Sequence, residues 1–465
     1  MTEECERSRI EEEALRLLRP DPMERAAAEE AAREALRLLD AVLREAGFSG
    51  YVMALEGSFA KDTWLRGSLD FDVFVLFPPE HCLRVVEGFA ERLAEALRRR
   101  GLQVELRYAQ HPYVRVLVKG FWVEAVPGCR VSDPSRPLTP VDRTPFHTSY
   151  IASRLGAAQR DEVRLLKSFL KGIGVYGAEI AVRGFSGYLT ELLIARYGCF
   201  RHLLEAAAHW KPPVVVEVEP GTAAHVRRDN SVLVVPDPVD PRRNVAAAVS
   251  ARSLAAFILA ARLYLEEPCT LYFHAAQPPP PPVGPWSLGP RLGNIVAVEL
   301  RSRAPQPPDT MWGVARRLAR LVDRLLASTG FRVAAIEPWA SETKIIIWAE
   351  LEERILPPHE ARAGPRAWDR VDRVKRFLEK YGATWISEDG SLATLARRRA
   401  VEATRLLAER LPRQLPRTAR EIGEPRIHCC LDAARLLEEA DPRWAWEQAA
   451  RMLYWLHLAS LCKTR

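Results

Sequence analysis

Two aspartates, Asp70 and Asp72, lie one residue apart in the run LDFDVFVLF. On a strand, residues i and i+2 point to the same face, so both carboxylates project side by side from an apolar segment. Two such charges repel, and burying both unpaired is costly. A divalent cation removes the conflict: Mg²⁺ prefers oxygen ligands, keeps several waters and is held by a few carboxylates together with substrate phosphates. Glu124, on a second apolar run, FWVEAVP, is a third acid that a sheet can bring beside the pair. Three carboxylates would then bracket two metals, one activating a hydroxyl and one holding a leaving pyrophosphate. The bland alternative is a solvated turn with two incidental acids, and the flanking FVLF weighs against it.

Upstream, Gly57 and Ser58 fall where a strand ends and a turn begins. Glycine lets backbone N–H groups approach a phosphate, and a serine hydroxyl adds a hydrogen bond. Lys61 supplies a cation for a triphosphate. Gly-Ser alone is weak evidence; Gly-Ser, a cation and Asp-x-Asp about twelve residues on is far more specific. The segment GIGVYG, residues 172–177, formally matches the dinucleotide fingerprint G-x-G-x-x-G. That motif needs a strand before it and a helix after it, whereas the amphipathic DEVRLLKSFLK precedes it here, so a dinucleotide site is rejected.

The elements that must position these groups follow from periodicity. Residues 3–47 read as helix, broken at RPDP. YVMAL and LDFDVFVLF read as strands, LRVVEGFAERLAEALRRRG as a helix, and QVELRY, YVRVLVK and FWVEAVP as strands. A mostly helical region follows, with a β-like insert at PVVVEVEP and SVLVVPDP. A third region carries strands at CTLYFHA, NIVAVELRS, RVAAIEPW and KIIIWAEL, and a helix at MWGVARRLARLVDRLLAST. The proline run QPPPPPVGP reads as a stiff surface loop. From Trp368 onward the chain reads as helices.

The opening segment resembles the DNA polymerase β nucleotidyltransferase superfamily and, more closely, the archaeal (class I) CCA-adding enzymes, which are tRNA nucleotidyltransferases. VDRTPFHTSYI, DEVRLLKSFLKGIGVYGAEIAVRGFSGYLTELLIARYG and DPVDPRRNVAAAVS resemble that family too, so the likeness spans roughly residues 50–255 and continues more weakly beyond. It implies a multi-domain α/β plus α protein. Residues 1–147 would form a polymerase-β-like catalytic head, a mixed sheet with helices. Residues 148–264 would form a helical nucleotide- and tRNA-binding domain, 265–367 an α/β body and 368–465 a helical, basic tRNA-binding tail. By the same resemblance Asp70, Asp72 and Glu124 match the metal-binding carboxylates, and Ser58 and Lys61 the triphosphate contacts. His147, Lys167 and Tyr176 match further nucleotide contacts, and Arg243 matches an arginine that helps select the incoming base. Two departures stand out: Lys61 replaces an expected arginine and loses its bidentate fork, and Glu124 replaces an expected aspartate. The implied activity is addition of C, C and A from CTP and ATP to the 3′ end of tRNA, with Mg²⁺ as cofactor. The implied tRNA contact is the 3′ end with the acceptor and T stem, and the implied working form is a homodimer.

Composition bounds the rest. Lys and Arg number 67 against 60 Asp and Glu, a net charge of +7, which permits a polyanionic partner. The stretch 392–420 carries eight arginines, Arg397, Arg398 and Arg399 among them, against two acids, Glu402 and Glu409. Read as a helix, it suits the backbone of an RNA stem; the alternative is a solvated helix. Eight scattered cysteines with no C-x-x-C pair argue against zinc and fit a reducing cytoplasm, with a disulfide left open. No apolar run reaches the length of a spanning helix, so no membrane is expected. Two rivals remain: another terminal nucleotidyltransferase, such as a poly(A) or oligoadenylate synthetase, and a non-catalytic RNA-binding protein on an inactive transferase head.

Overall fold

Ser8 and Asp21 each accept a hydrogen bond from the backbone N–H three residues on, and so open helices α1 (Arg9–Leu18) and α2 (Pro22–Glu45) on either side of the RPDP break. The computed structural model describes residues 6–108, 112–226 and 230–462; Cys5 and the start of the helix read from residue 3 lie outside them. The two helices serve different cores. Ala28, Ala31, Ala35 and Leu39 of α2 pack on a sheet, whereas Ala14, Leu15 and Leu18 of α1 join the helical core that follows it in sequence.

That sheet has the order β1-β2-β5-β4-β3, formed by β1 (Val52–Glu56), β2 (Asp70–Phe77), β3 (Val104–Tyr108), β4 (Pro112–Val118) and β5 (Phe121–Cys129). A short helix α3 (Gly57–Ala60) follows β1, and α4 (Pro79–Arg99) crosses from β2 toward β3. β2 and β5 run parallel and the other neighbours antiparallel. Phe71, Val73, Val75 and Phe77 face α2 and α4 and are buried. The period of two therefore sends Asp70 and Asp72 to the opposite face. A slip by one residue would turn the acids into the core of α2 and α4 and take Phe71 and Phe77 out of it, so the apolar set fixes the register.

The helical region comprises α5 (Thr144–Arg154), α6 (Ala157–Gly172), α7 (Gly187–Tyr197), α8 (Phe200–Ala207) and α9 (Ala251–Glu266). Between α8 and α9 lie two strand pairs, β6 (Val214–Val215) with β7 (Leu233–Val234), and β8 (Pro236–Asp237) with β9 (Asp240–Asn244). Phe169 of α6 is fully buried and its ring lies within 6.4 Å of those of Phe200, Phe257, Tyr264, Tyr272 and Phe273. CTLYFHA, expected as a strand, forms 3₁₀ turns over Thr270–Tyr272 and His274–Ala276 instead. The consecutive Tyr272 and Phe273 both pack on Phe169, which an extended strand would prevent by sending them to opposite faces.

Contacts divide the chain into two units, one of residues 1–279 with 453–465 and one of 280–452, with the break inside the proline run. The second unit has a four-stranded sheet, β11-β12-β10-β16, made by β10 (Ile295–Arg301), β11 (Val333–Ala340), β12 (Lys344–Leu351) and β16 (Arg426–Cys429). Helix α10 (Pro308–Ala327) packs on it, with α12 (Ala403–Gln414) and α13 (Arg417–Ile422) in the same core. The tail, expected as helices from Trp368, differs. Around α11 (Val371–Lys380) it holds a three-stranded sheet of β13 (His359–Arg366), β14 (Thr384–Ile386) and β15 (Ser391–Arg397). Pairing on both sides makes SLATLAR the central strand, so Arg397 ends a strand rather than sitting on a helix. Helices α14 (Cys430–Arg435) and α15 (Pro442–Ala450) complete this unit. The last helix, α16 (Tyr454–Cys462), returns to the first, where Trp455 is buried beside Tyr272.

The cysteines also depart from the reading as scattered thiols. Cys82 of α4 bonds to Cys129 of β5, and Cys269 bonds to Cys462, because packing brings their Cα atoms to 5.4 and 6.0 Å. Among the described residues, no helix is long and apolar enough to cross a membrane.

Replacing Phe169 with alanine should destabilise the protein by about 3–5 kcal/mol. A urea titration followed by tryptophan fluorescence should show the midpoint fall; an unchanged midpoint would contradict the packing described.

Candidate active site

One row of the five-stranded sheet carries a charge on every strand. Glu56 of β1 stands opposite Asp72 of β2, which pairs with Glu124 of β5, then Arg115 of β4, then Glu105 of β3. In-register partners share a face, and Asp70 stands two residues from Asp72 on that face. The backbone thus brings Asp70, Asp72 and Glu124 together. The side-chain oxygens do not converge: among the described residues no three His, Cys, Asp or Glu side chains are gathered closely enough to cage an ion. Arg115 shares this face with them. Its guanidinium bonds Asp70 at 3.0 Å, lies 3.7 Å from Glu124 and stacks over Trp122 at 4.5 Å.

Electrostatics report the same shortage of positive charge. Burial, opposed by Lys61 and Lys167 and reinforced by Asp70, pushes Asp72 up to about 6. Burial, reinforced by Asp72 and Asp70 and opposed by Arg115, pushes Glu124 up to about 7. Burial also raises Glu56, whose Oε2 has no hydrogen-bond partner among the described residues. A row of hard oxygen donors, each reluctant to ionise beside the next, fits a divalent cation by the chemistry of its donors.

Gly57 holds this row against the phosphate-loop candidate. Its φ is +69°, and a Cβ there would sit 1.7 Å from Asp72 Oδ2. Only glycine permits both the conformation and the approach. Ser58 follows on α3, and its carbonyl accepts from the Thr63 N–H.

Lys61 and Lys167 meet on a residue that pattern reading missed. Glu191 of α7 is fully buried; its Oε2 takes Lys61 Nζ at 2.5 Å, and its Oε1 takes Thr63 Oγ1 at 2.7 Å and Lys167 Nζ at 3.4 Å. Lys167 also donates to the Thr63 carbonyl at 3.0 Å. Burial, only partly offset by Glu191, pulls Lys167 down to about 8. Burial alone would raise Glu191, but Lys61 and Lys167 hold it below its ordinary value. Two ammoniums against one carboxylate leave a net positive charge beside the acidic row.

His147 and Arg243 meet on a second missed carboxylate, Asp237. His147 Nε2 lies 2.9 Å and Arg243 Nη1 2.8 Å from Asp237 Oδ2, and the Tyr188 hydroxyl donates to Oδ1 at 3.0 Å. Tyr188 stacks on His147 at 4.0 Å, and Lys61 Nζ lies 6.0 Å from the Tyr188 ring. Tyr188 and Glu191, one turn apart on α7, therefore face the two clusters from a single helix. Tyr176 has its hydroxyl near Gly187 and its ring under Lys171 Nζ at 5.4 Å, and burial, reinforced by Glu191, Glu179 and Asp72, pushes that hydroxyl up. GIGVYG follows helix α6 rather than a strand, as expected for a false fingerprint. Gly172 there lets the Tyr272 carbonyl approach to where a Cβ would clash at 2.1 Å.

In the second unit Arg397 and Arg399 are exposed. Arg398 instead pairs with Glu360 at 2.8 Å, and so has a structural partner.

Three family models match the chain: a nucleotidyltransferase domain over residues 36–140, a tRNA nucleotidyltransferase second domain over 161–274, and a CCA-adding enzyme C-terminal domain over 293–422. The CCA-adding enzyme of Saccharolobus shibatae is 38% identical over 400 residues, covering 85% of this chain and 90% of that protein. That of Sulfurisphaera tokodaii is 39% identical over 391 residues, covering 84% and 89%. Among solved structures, the RNA terminal uridylyl transferase Cid1 matches at 17% identity with a TM-score of 0.44, covering 58% of this chain and 98% of that one.

Replacing Gly57 with alanine should drive the new methyl into the Asp72 carboxylate and lower kcat by about a hundred-fold while the protein stays folded. Near-normal turnover would show that the carboxylate can move without cost. Lys167 generates a pH dependence of stability. Below about 8 it is protonated in both folded and unfolded chains, so the cost of its burial is present in full. Between there and its ordinary pKa near 10.4 the unfolded chain binds more protons, and stability rises with pH. Denaturant melts from pH 7 to 10 should show the wild type gaining on Lys167→Met by on the order of 1–3 kcal/mol. Parallel curves for the two proteins would refute the shift.

Proposed function

Since this chain belongs to the CCA-adding enzyme family of tRNA nucleotidyltransferases, we propose that it adds C, C and A from CTP and ATP to the 3′ end of tRNA without a nucleic-acid template. The observation that carries the reading is the in-register row of Asp72 and Glu124 with Asp70 on the same face. In each cycle the terminal hydroxyl of the RNA attacks the α-phosphorus of the nucleotide. A new phosphodiester forms, the bond to the β-phosphate breaks, and pyrophosphate leaves with the negative charge.

Asp70, Asp72 and Glu124 would hold the divalent metal that nucleotidyltransferases generally use, and the reading takes it to be Mg²⁺. Bound there, such an ion supplies charge for the developing oxyanions and eases loss of the hydroxyl proton. Arg115, now on Asp70, would yield that carboxylate to it. Ser58 offers a hydroxyl to the triphosphate, and Lys61 and Lys167 give the pocket its net positive charge. His147 and Tyr176 would hold the nucleotide from the helical side, and Arg243 would read its base. The exposed Arg397 and Arg399 would meet the phosphates of the tRNA stem. A homodimer, taken from the family resemblance, and a cytoplasmic location, taken from the cysteine pattern, complete the reading.

Incubation with tRNA ending at the discriminator base plus each labelled nucleotide separates this reading from its rivals. Ordered addition of C, C and A supports it, a ladder of adenosines would indicate another terminal transferase, and no product would indicate a binding protein. Asp70→Ala and Asp72→Ala should each abolish turnover, by on the order of a thousand-fold, while leaving tRNA binding near normal. Arg397→Glu with Arg399→Glu should raise the KM for tRNA several-fold and leave pyrophosphate exchange with free nucleotide unchanged. An unaltered KM would remove this strand end from the tRNA surface.

A further inference from the structure

Asp237 is completely buried, yet it is the charge partner of an arginine that is 41% exposed. Its two oxygens divide their work. Oδ1 accepts from the Val239 backbone N–H at 3.1 Å and from the Tyr188 hydroxyl at 3.0 Å, which lock the carboxylate to its own turn and to α7. Oδ2 accepts from Arg243 at 2.8 Å and faces His147 Nε2 at 2.9 Å. The carboxylate is thus anchored by one oxygen and aims the guanidinium with the other.

The surrounding hairpin is equally fixed. Asn244 Oδ1 accepts from the Val235 and Ala246 N–H groups, and its amide donates to the Leu233 carbonyl. Arg242, next to Arg243, is drawn away to Asp240 at 3.4 Å and to the Ser135 carbonyl at 2.6 Å. Asp240 is in turn held by Arg143 at 2.9 Å. Of the two adjacent arginines, then, only Arg243 is aligned by the His147–Tyr188 cluster.

Alignment of a guanidinium has a chemical consequence. Cytosine and adenine each present a ring-nitrogen acceptor beside an exocyclic amine, at N3 and N1. Uracil and guanine present an N–H donor at the equivalent ring position. A donor held in one place favours the first pair and opposes the second, whereas a mobile one discriminates less, because specificity needs the wrong partner to leave polar groups unpaired. We propose that Asp237 is a positioning residue for nucleotide choice: it holds Arg243 so that the guanidinium accepts cytosine and adenine and rejects uracil and guanine. The inference rests on the reading of Arg243 as a base-selecting residue.

The test uses the full chain and tRNA lacking its 3′ CCA, and compares kcat/KM for CTP with kcat/KM for UTP. Asp237→Asn keeps the shape and removes the charge; it should lower the CTP:UTP ratio about ten-fold, the scale of one charge-assisted hydrogen bond. Arg243→Ala should lower the ratio comparably, and the double variant should fall little further, because both act through one guanidinium. A purely structural role would instead lower CTP and UTP use equally with the ratio unchanged, and that result overturns the proposal. If Arg243→Ala leaves the ratio unchanged, the base-selecting reading falls and this inference with it. If Arg243→Ala lowers the ratio and Asp237→Asn does not, only the inference falls. Should Asp237→Asn fail to fold, Asp237→Glu keeps the charge and displaces it by one methylene; an unchanged ratio in that variant also overturns the proposal.

Discussion

Carboxylates on neighbouring strands make one another harder to ionise, and a protein that lines them up must offset that repulsion locally. Here Glu56, Asp72 and Glu124 stand in register across three strands with Asp70 beside them. The apolar residues of β2 on the other face oppose a one-residue slip of the row, since it would take Phe71 and Phe77 out of the core they share with α2 and α4. Much of the surroundings answers this constraint. Gly57 has no side chain because Asp72 occupies the space, Arg115 reaches across from β4, and Lys61 and Lys167 approach from the other side.

The lysines pose their own problem, because an ammonium buried without a partner is as costly as a carboxylate. Glu191 resolves it for both and brings Thr63 with it. The result is a chain of alternating charge from the sheet into the helices, with α7 as its backbone: Glu191 on one turn serves the lysines, and Tyr188 on the adjacent turn serves His147 and Asp237. A helix that pattern reading treats only as core thus orders two polar clusters.

How much of this was legible depended on whether the information was local. The strands of the head and helices α2 and α4 follow from periodicity, which is a local property, whereas the expectation that Glu124 joins the aspartates leaned on family resemblance. Glu56, Arg115 and Asp237 were not found, because their importance comes from strand register and long-range pairing. Glu191 was hidden for a related reason: in GYLTELLIARY an acid on a helix reads as solvated, and only the fold shows two lysines waiting for it. CTLYFHA and SLATLAR misled because tertiary packing overrode local pattern, turning an apolar run into 3₁₀ turns and a presumed helix into a central strand. The roles assigned to His147, Lys167, Tyr176 and Arg243 came from family resemblance; spacing alone would have left them as ordinary core or surface residues.

Helix α1 and helix α16 are built into the same hydrophobic core, with Leu15 and Trp455 among its buried members. Residues 280–452 fall between them and form a unit of their own. During synthesis the second unit is therefore complete before the first has all its parts. All of residues 280–452 must leave the ribosome before the indole of Trp455 can fill its place beside Tyr272. Until then the aromatic cluster around Phe169 has one side open to the crowded cell, at a stage when exposed apolar surface invites chaperones or aggregation.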